Sequence, residues 1–197
     1  MTGDNIVSAE SSLSFEPVTN SNWDRMHDLF GDKGAYGGCW CTYWRLPRPR
    51  FSSCSPSERK EMMKQIIDSG RVPGILAYKN GAPVGWCSIS NRSEFILLEN
   101  SRTLKRIDDK PVWSVVCFYI HRKERRKGIM SGLLSNAIEY AKTQGAEIVE
   151  GYPIDPMGEG YPDPYAYTGF LSAFVELGFE EVGRRSPKRP IMRLYLK

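Results

Sequence analysis

The sequence lacks a long apolar run, and it has few histidines. No apolar run in the 197 residues reaches the roughly 18 residues of a membrane-spanning helix, so we expect none. The N-terminal segment MTGDNIVSAESSLSF has neither a basic head nor an apolar block, and we do not expect it to be a signal peptide. These absences favour a cytoplasmic protein without a membrane partner.

The five cysteines do not form a recognisable disulfide or metal pattern. Cys39 and Cys41 lie in a CWC sequence rather than CxxC, and a zinc site with Cys54 would need His27 or His121 as a fourth ligand. The odd number of cysteines, without a secretion signal, favours reduced thiols. We expect no bound metal, and a cysteine-based metal or redox protein is the less favoured alternative.

The net charge of +4 is small. It suits an anionic small ligand and is too weak to indicate a nucleic-acid binder. The two basic runs, RKERRK and RRSPKR, are short, and no stacking motif lies between them. We therefore expect no nucleic-acid partner.

The most informative segment spans residues 111–143. Residues 113–120 are apolar nearly throughout, which predicts a strand that is buried on both faces. A basic turn with Gly128 follows. From Ile129 apolar residues recur at helical spacing as far as a stop at Gly145. The segment is therefore predicted to be a strand, a tight cationic turn and a helix.

This turn has the chemistry of an anion site. The first N–H groups of a helix have no intrahelical partner and favour a negative charge. The cations of RKERRK surround the helix start, and Gly128 lets a phosphate approach the backbone closely. The pattern predicts a diphosphate cradle, and a solvated basic loop is the simpler alternative.

The remaining elements predict one α/β domain. Residues 1–11 are expected to be a loose tail, followed by a single domain at 12–197. Strands are predicted over 13–18, 72–78, 83–89, 146–152, 179–184 and 190–196, and further helices from 23, over 55–69 and over 166–177. The fold class is a mixed central sheet of about six to seven strands with helices on both faces.

The segment YIHRKERRKGIM resembles the central motif of the GNAT-type N-acetyltransferases. That motif is Gln or Arg, two residues, Gly, one residue, and Gly or Ala. Arg125 and Gly128 match it, whereas Met130 replaces the usual Gly or Ala. The resemblance covers residues 70–182 well and the N-terminal third weakly. It implies the GNAT acyltransferase fold and acetyl-CoA as co-substrate.

The resemblance also implies a cofactor site. In this family the loop amides bind the pyrophosphate of acetyl-CoA, and the preceding strand pairs through its backbone with the pantetheine arm. The implied strand residues are Phe118 and Ile120. The implied loop and helix residues are Arg125, Arg126, Lys127, Gly128, Ile129, Met130, Ser131 and Gly132. A backbone N–H near residues 118–120 would stabilise the oxyanion.

The segment FVELGFEEV resembles a second family signature, but it lacks the usual general acid. The family's Tyr, which protonates the departing CoA thiolate, is replaced here by Phe174. Tyr167 lies two helical turns earlier on the same predicted face and is the candidate acid, with Ser172 as a second choice. Simple packing of Tyr167 is the alternative.

Acyl transfer to an amine also needs a base, because an ammonium has no lone pair. Glu150 lies near the C-terminal end of its predicted strand, where ligands bind in open α/β sheets, and is the candidate base. Asp155 and Glu159 in the next loop are alternatives, and a charged residue at the rim of the sheet is the simpler interpretation of Glu150.

The cysteines are weaker candidates for chemistry. A covalent acyl-cysteine route through Cys39, Cys41 or Cys117 is disfavoured, because no His or Asp lies at a telling spacing. Cys117 lies within the apolar sequence VVCFY and is predicted to be a small core residue.

Residues 31–51 combine glycines with aromatic residues and are predicted to form a loop over a ligand pocket. The candidate acceptor-binding residues are Trp40, Tyr43, Trp44 and Tyr152. Their rings suit a flat or cationic acceptor, and wedging of the loop onto the core is the alternative.

Together these observations predict direct transfer of acetyl from acetyl-CoA to an amine of a small molecule or peptide, within a ternary complex. The replaced tyrosine keeps a CoA-binding sensor without catalysis open as an alternative. A homodimer is also left open.

Overall fold

A seven-stranded mixed sheet forms the centre of the computed structural model, which describes residues 12–158 and 166–197. The strands are β1 (Leu13–Pro17), β2 (Gly74–Lys79), β3 (Ala82–Asn91), β4 (Trp113–Ile120), β5 (Ile148–Gly151), β6 (Glu180–Arg184) and β7 (Pro190–Tyr195). Their order across the sheet is β1-β2-β3-β4-β5-β7-β6, and β4 and β5 form its parallel pair. The predicted fold class is confirmed. The predicted tail at 1–11 lies outside the described residues.

Helices cover both faces of this sheet. They are α1 (Trp23–Phe30), α2 (Arg48–Ser53), α3 (Pro56–Asp68), α4 (Ile96–Glu99), α5 (Ile129–Thr143) and α6 (Leu171–Glu176). Alternate residues of each strand face opposite sides, so Ile75 packs with α5, while its neighbour Leu76 packs with α1 and α3. None of the helices in the described part of the chain has the length and apolar character that a bilayer span requires.

Short-range sequence signals are realised as expected. Ser55 Oγ accepts a hydrogen bond from the Glu58 N–H at 3.2 Å, and the Glu58 carboxylate accepts one from the Ser55 N–H at 2.7 Å, which is the predicted capping box of α3. Asn80 and Gly81 both have positive φ, as the tight hairpin between β2 and β3 requires.

The predicted helix at residues 166–177 is wrong in its first part, because α6 begins only at Leu171. Gly169 has a φ of +86°, and the Ile154 N–H donates to its carbonyl at 2.8 Å. Ile154 also forms a parallel bridge with Phe170. These contacts, with a turn in which the Gly169 N–H donates to the Ala166 carbonyl at 2.9 Å, replace the helix that local pattern predicted. Tyr167 therefore does not share a helical face with Phe174.

The pairing of β4 with β5 is short. It includes Trp113 with Val149, Ser114 with Glu150 and Val115 with Gly151, and it ends there. On its other side β4 pairs with β3 as far as Ile120. Residues 116–120 of β4 therefore have an edge that β5 does not cover.

Candidate active site

A cavity of about 920 Å³ opens beside this uncovered edge of β4. Its walls come from the end of β4, the start of α5, the loop at 35–44 and the segment around α6. The lining residues include Tyr36, Cys39, Cys41, Tyr43, Trp44, Phe51, Cys117, Phe118, Ile120, Arg125, Arg126, Gly128, Ile129, Met130, Ser131, Tyr167, Ser172 and Glu176.

The start of α5 presents its backbone to this cavity. Gly128 is the N-cap, with a φ of +75°, and a Cβ added there would meet no atom within 4 Å. The N–H of Gly132 donates to the Gly128 carbonyl at 3.1 Å and makes the first helical hydrogen bond. The N–H groups of Ile129, Met130 and Ser131 therefore have no partner within the helix. Such N–H groups, at the positive end of a helix dipole, form an anion site.

The cations of the turn divide into two groups. Arg125 and Arg126 line the cavity, and Arg125 Nε donates to the Ile120 carbonyl at 3.2 Å. Lys127 Nζ is directed away, because it donates to the Lys123 carbonyl at 2.8 Å and lies 3.2 Å from Glu124 Oε2. The predicted role of Lys127 as a cavity residue does not fit this placement.

Gly132 also has a different role from the one the resemblance implied. A Cβ at Gly132 would lie 2.5 Å from Cζ of Phe15 on β1, so the glycine allows β1 and α5 to pack closely. Its N–H is already used in the first helical hydrogen bond. It does not contribute to the cavity wall, and the boundary of the cradle lies at Ser131.

The backbone groups of Phe118 and Ile120 lie at the uncovered edge. The His121 N–H donates to the Val84 carbonyl of β3 at 2.9 Å. The backbone groups of successive strand residues face opposite neighbours, so those of Phe118 and Ile120 face away from β3. The Phe118 N–H donates to the Tyr167 carbonyl at 2.5 Å. In this structure, therefore, the segment at 166–169 takes up one backbone donor that the resemblance assigned to the pantetheine arm.

A strand with an uncovered backbone edge, followed by a glycine-capped helix start, is the arrangement that the sequence resemblance implied. A sequence profile of the acetyltransferase (GNAT) family matches residues 40–151. The chain belongs to the acetyltransferase (GNAT) family. This match confirms the predicted family and the acyltransferase class. It also confirms acetyl-CoA as the co-substrate that supplies acetyl to an amine.

Solved structures share the fold of this acetyltransferase at low identity. An aminoglycoside N-acetyltransferase in complex with CoA has a TM-score of 0.53 and 14% identity, over 91% of this chain and 95% of that one. A putative acetyltransferase from Salmonella typhimurium with acetyl-CoA has 0.53 and 13%, over 94% of each chain. A ribosomal-protein-alanine N-acetyltransferase from Brucella melitensis has 0.52 and 15%, over 93% and 99%. No curated protein matches the sequence.

The candidate acid of this acetyltransferase, Tyr167, lies in the cavity wall. Burial raises the pKa of Tyr167 to about 12, so its phenol keeps a proton at neutral pH. Ser172 lies in the same wall, at the start of α6. Phe174, where the family has its Tyr, is fully buried between the rings of Phe118 and Phe179, with centroids at 6.4 and 5.0 Å. A phenylalanine there completes the core.

The candidate base, Glu150, is not part of the described cavity wall. Its side chain is 1% exposed, and both carboxylate oxygens are occupied. Oε1 accepts from Arg92 Nη1 at 2.7 Å and from the Tyr152 hydroxyl at 2.6 Å, and Oε2 accepts from Arg193 Nε at 2.7 Å. A base needs a free lone pair within reach of the acceptor. The predicted role does not fit this position.

The four aromatic candidates for acceptor binding fall into two groups. Tyr43 and Trp44 line the cavity, while Trp40 and Tyr152 are fully buried. The Trp40 ring packs against Trp23, with centroids 5.9 Å apart. The Tyr152 hydroxyl lies in the Glu150 network. Trp40 and Tyr152 are therefore core residues, as the alternative interpretation of the aromatic loop predicted for Trp40.

Several cavity residues were not recognised in the sequence. Tyr36 and Phe51 add two more rings to the wall, and Glu176 of α6 adds a carboxylate. Aromatic density in residues 31–51 was a signal for the first two, but no local pattern distinguishes Tyr36 from Trp40. Asp155 instead forms an ion pair with Arg184 at 2.8 Å, and Glu159 lies outside the described residues.

The cysteines are free thiols, and Cys39, Cys41 and Cys117 line the cavity. The prediction that Cys117 is a core residue is only partly met, since it is half-buried and reaches the cavity. Among residues 12–158 and 166–197, no group of three or more His, Cys, Asp and Glu side chains is placed to hold a metal ion.

Proposed function

We propose that this acetyltransferase acetylates the amine of a small molecule that carries a flat apolar or aromatic group, by direct transfer in a ternary complex. The observation that supports this most is the composition of the cavity. One end presents the helix N–H groups and Arg125 and Arg126, which suit a diphosphate. The other end presents aromatic rings.

The start of α5 is the end of the cavity that suits the cofactor. The N–H groups of Ile129 to Ser131 and the two arginines would hold the diphosphate of acetyl-CoA. The pantetheine arm would then follow the uncovered edge of β4 toward Phe118. This path would bring the thioester near Tyr167 and the thiol-bearing part of the wall, because those residues surround the same stretch of β4.

The acceptor end indicates the type of amine. Tyr36, Tyr43, Trp44 and Phe51 form the wall, and Glu176 is the one carboxylate among the described cavity residues. Aromatic faces bind flat groups by stacking and single cations by cation–π contact. A polycation would need several carboxylates, and a peptide backbone would need polar partners. An amine with one aromatic or apolar group fits this wall better.

A calorimetric titration and a panel of amines test the proposal. Calorimetry with acetyl-CoA should show binding, and CoA-thiol release should be fastest with arylalkylamines, compared with aliphatic polyamines, aminoglycosides and lysine peptides. Preference for a polyamine or a peptide would contradict the acceptor class. Tight acetyl-CoA binding without turnover for any amine would instead favour a CoA sensor.

Replacement of Tyr43 by leucine should weaken acceptor binding selectively. Loss of an aromatic contact of about 0.5–1.5 kcal/mol should raise the acceptor KM by up to about 10-fold. The affinity for acetyl-CoA, measured by calorimetry, should not change. Tyr195→Leu is the matched control, because Tyr195 lies on β7 outside the described cavity wall and is 49% exposed. Equal effects of both variants would contradict an acceptor role.

Tyr167→Phe should lower kcat by about 10- to 100-fold, at or below the lower end of general-acid effects, because a thiolate leaves without much help. The phenol has a pKa of about 12, so it is a proton donor across the neutral range. Ser172→Ala should have little effect. If steady-state kinetics gave Tyr167→Phe the same kcat as the wild type, Tyr167 would have only a packing role.

A further inference from the structure

Three thiols meet in the wall of the cavity. Cys39 and Cys41 come from the aromatic loop, and Cys117 comes from β4. The indole Nε1–H of Trp86 on β3 donates to Cys41 Sγ at 3.2 Å. The Cys41 N–H donates to Cys39 Sγ at 3.4 Å. This cluster is separate from the Glu150 network and adjoins the stretch of β4 where the thioester would lie.

The surroundings of Cys41 favour a negative sulfur. The hydrogen bond with Cys117 is the largest cause, and with those from Trp86 and Ser88 and the charge of Arg45 it lowers the pKa of Cys41 to about 7, against burial. The same interaction and burial raise the pKa of Cys117 well above its usual range, and the Cys117 thiol donates to the Phe118 carbonyl at 3.8 Å.

The other titratable groups near Cys41 and Cys117 are Arg45, Cys87 and Cys39. Arg45 is buried, and Glu94 at 2.9 Å and Ser90 at 2.9 Å hold its guanidinium. On β3, burial and the Cys41 charge raise the pKa of Cys87 well above its usual range. Burial, followed by the Cys41 charge, raises the pKa of Cys39 to about 11, with Arg59 opposing weakly. Cys41 is therefore the thiol of this cluster that titrates near neutral pH.

The backbone at this point is unusual. Trp40 and Cys41 are consecutive non-glycine residues with positive φ, +44° and +54°. This conformation is uncommon and has an energetic cost, so the surrounding structure must enforce it. The buried Trp40 ring does so, and the result is that Cys41 is presented to Trp86 and to the cavity.

We propose that the Cys41 thiolate is the general base that deprotonates the acceptor ammonium, with the Trp86 N–H, 3.2 Å from its sulfur, stabilising the charge. This proposal rests on the proposed function, because it assigns the base that direct transfer to an amine requires. Glu150 is unavailable for that role, and a base whose pKa lies near the working pH is the most effective one.

The proposed step moves two protons and one acetyl group. The acceptor ammonium gives one proton to Cys41 Sγ, and the neutral nitrogen then forms a bond to the acetyl carbonyl carbon. The bond between that carbon and the CoA sulfur breaks, and its electron pair leaves with the sulfur. The CoA thiolate takes a proton from Tyr167 or water, which regains one from the nitrogen of the new amide, and Cys41 returns its proton to solvent. The net change is an ammonium and a thioester converted into an amide, a thiol and a proton.

The pH dependence of kcat/KM tests this proposal. Cys41→Ser keeps the size of the side chain but has no anion at neutral pH, so kcat/KM should fall by roughly 100-fold at neutral pH. The loss should shrink to below about 10-fold at pH values above the acceptor's own pKa, because the neutral amine then needs less help. Cys54→Ser is the matched control, since Cys54 is equally buried, at 4% exposed, and lies outside the described cavity wall.

Other results would overturn the assignment. A uniform loss at all pH values would show a structural role, and a loss of the neutral-pH rate in Glu176→Gln in place of Cys41→Ser would move the base to α6. Acetyl-CoA incubated without acceptor should leave the intact mass unchanged. An added acetyl group that Cys41→Ser abolishes would show a nucleophile instead of a base.

A titration of the thiols in the wild-type protein tests the proposal without measuring activity. Its result does not depend on whether a variant folds. The ultraviolet absorbance of a thiolate, followed against pH in the wild-type protein, should show one group with a midpoint near neutrality, absent in Cys41→Ser. Absence of that group in the wild type would overturn the proposal while acetyl-CoA binding and amine acetylation could persist. Failure of the proposed function itself would instead appear as the absence of any acetylated amine.

Discussion

Gly128→Asp should weaken acetyl-CoA binding by at least about 100-fold. The new carboxylate would stand at the N-cap of α5, where the helix N–H groups of Ile129 to Ser131 face the cavity. Two unit charges 4 Å apart repel by about 4 kcal/mol at an effective dielectric constant of about 20, or on the order of 1000-fold in affinity before screening. Calorimetric titration with CoA and acetyl-CoA measures the effect.

Two matched variants separate this repulsion from backbone strain. Gly128→Asn introduces a side chain of the same shape, and asparagine tolerates the left-handed conformation, so it should lose far less affinity. Gly145→Asp places a carboxylate beyond the other end of α5, at a φ of +78° and in equally open space. It should leave binding unchanged. Equal losses for Gly128→Asp and Gly128→Asn would refute an electrostatic cradle.

Glu150→Gln should destabilise the protein strongly. Removal of one partner from a buried ion pair costs about 3–5 kcal/mol, because the opposite charge stays buried without compensation. Here Arg92 and Arg193 would both lose their buried carboxylate at 2.7 Å and keep only the more exposed Glu99 and Asp108, respectively. At roughly 2–4 °C per kcal/mol for a domain of this size, Tm should fall by about 10 °C, measured by calorimetry or circular dichroism.

A surface pair and an activity measurement complete this test. Glu181→Gln breaks an ion pair with Arg184 in which the glutamate is 39% exposed, and it should cost no more than about 1 kcal/mol. Below its unfolding temperature, Glu150→Gln should keep the wild-type pH profile of kcat/KM. A fully stable Glu150→Gln protein that had lost its neutral-pH activity would restore Glu150 as the base.

The elements that local pattern determines were predicted well. β4 and α5 have the bounds expected from their apolar periodicity, because a buried strand and an amphipathic helix each carry their signal within one segment. The glycine-capped turn between them follows for the same reason. The cofactor end of the cavity, from Arg125 to Ser131, could therefore be located from the sequence.

The elements that depend on distant partners were not predictable in this way. Glu150 is neutralised by Arg92 and Arg193, which lie 58 and 43 residues away in the chain. The segment around Tyr167 is held in a non-helical conformation by Ile154 and by Phe118. The properties of Cys41 arise from β3 and β4. In each case the chemistry of a residue is set by side chains that only the fold brings together.

The three-residue pairing of β4 with β5 has a thermodynamic consequence. The sheet consists of two halves, β1 to β4 and β5 to β7, that share only this short ladder of hydrogen bonds. A cofactor arm along the uncovered edge of β4 would supply further rungs between them. Cofactor binding and the association of the two half-sheets are then linked. The free energy of unfolding should therefore increase as the cofactor concentration rises above its dissociation constant.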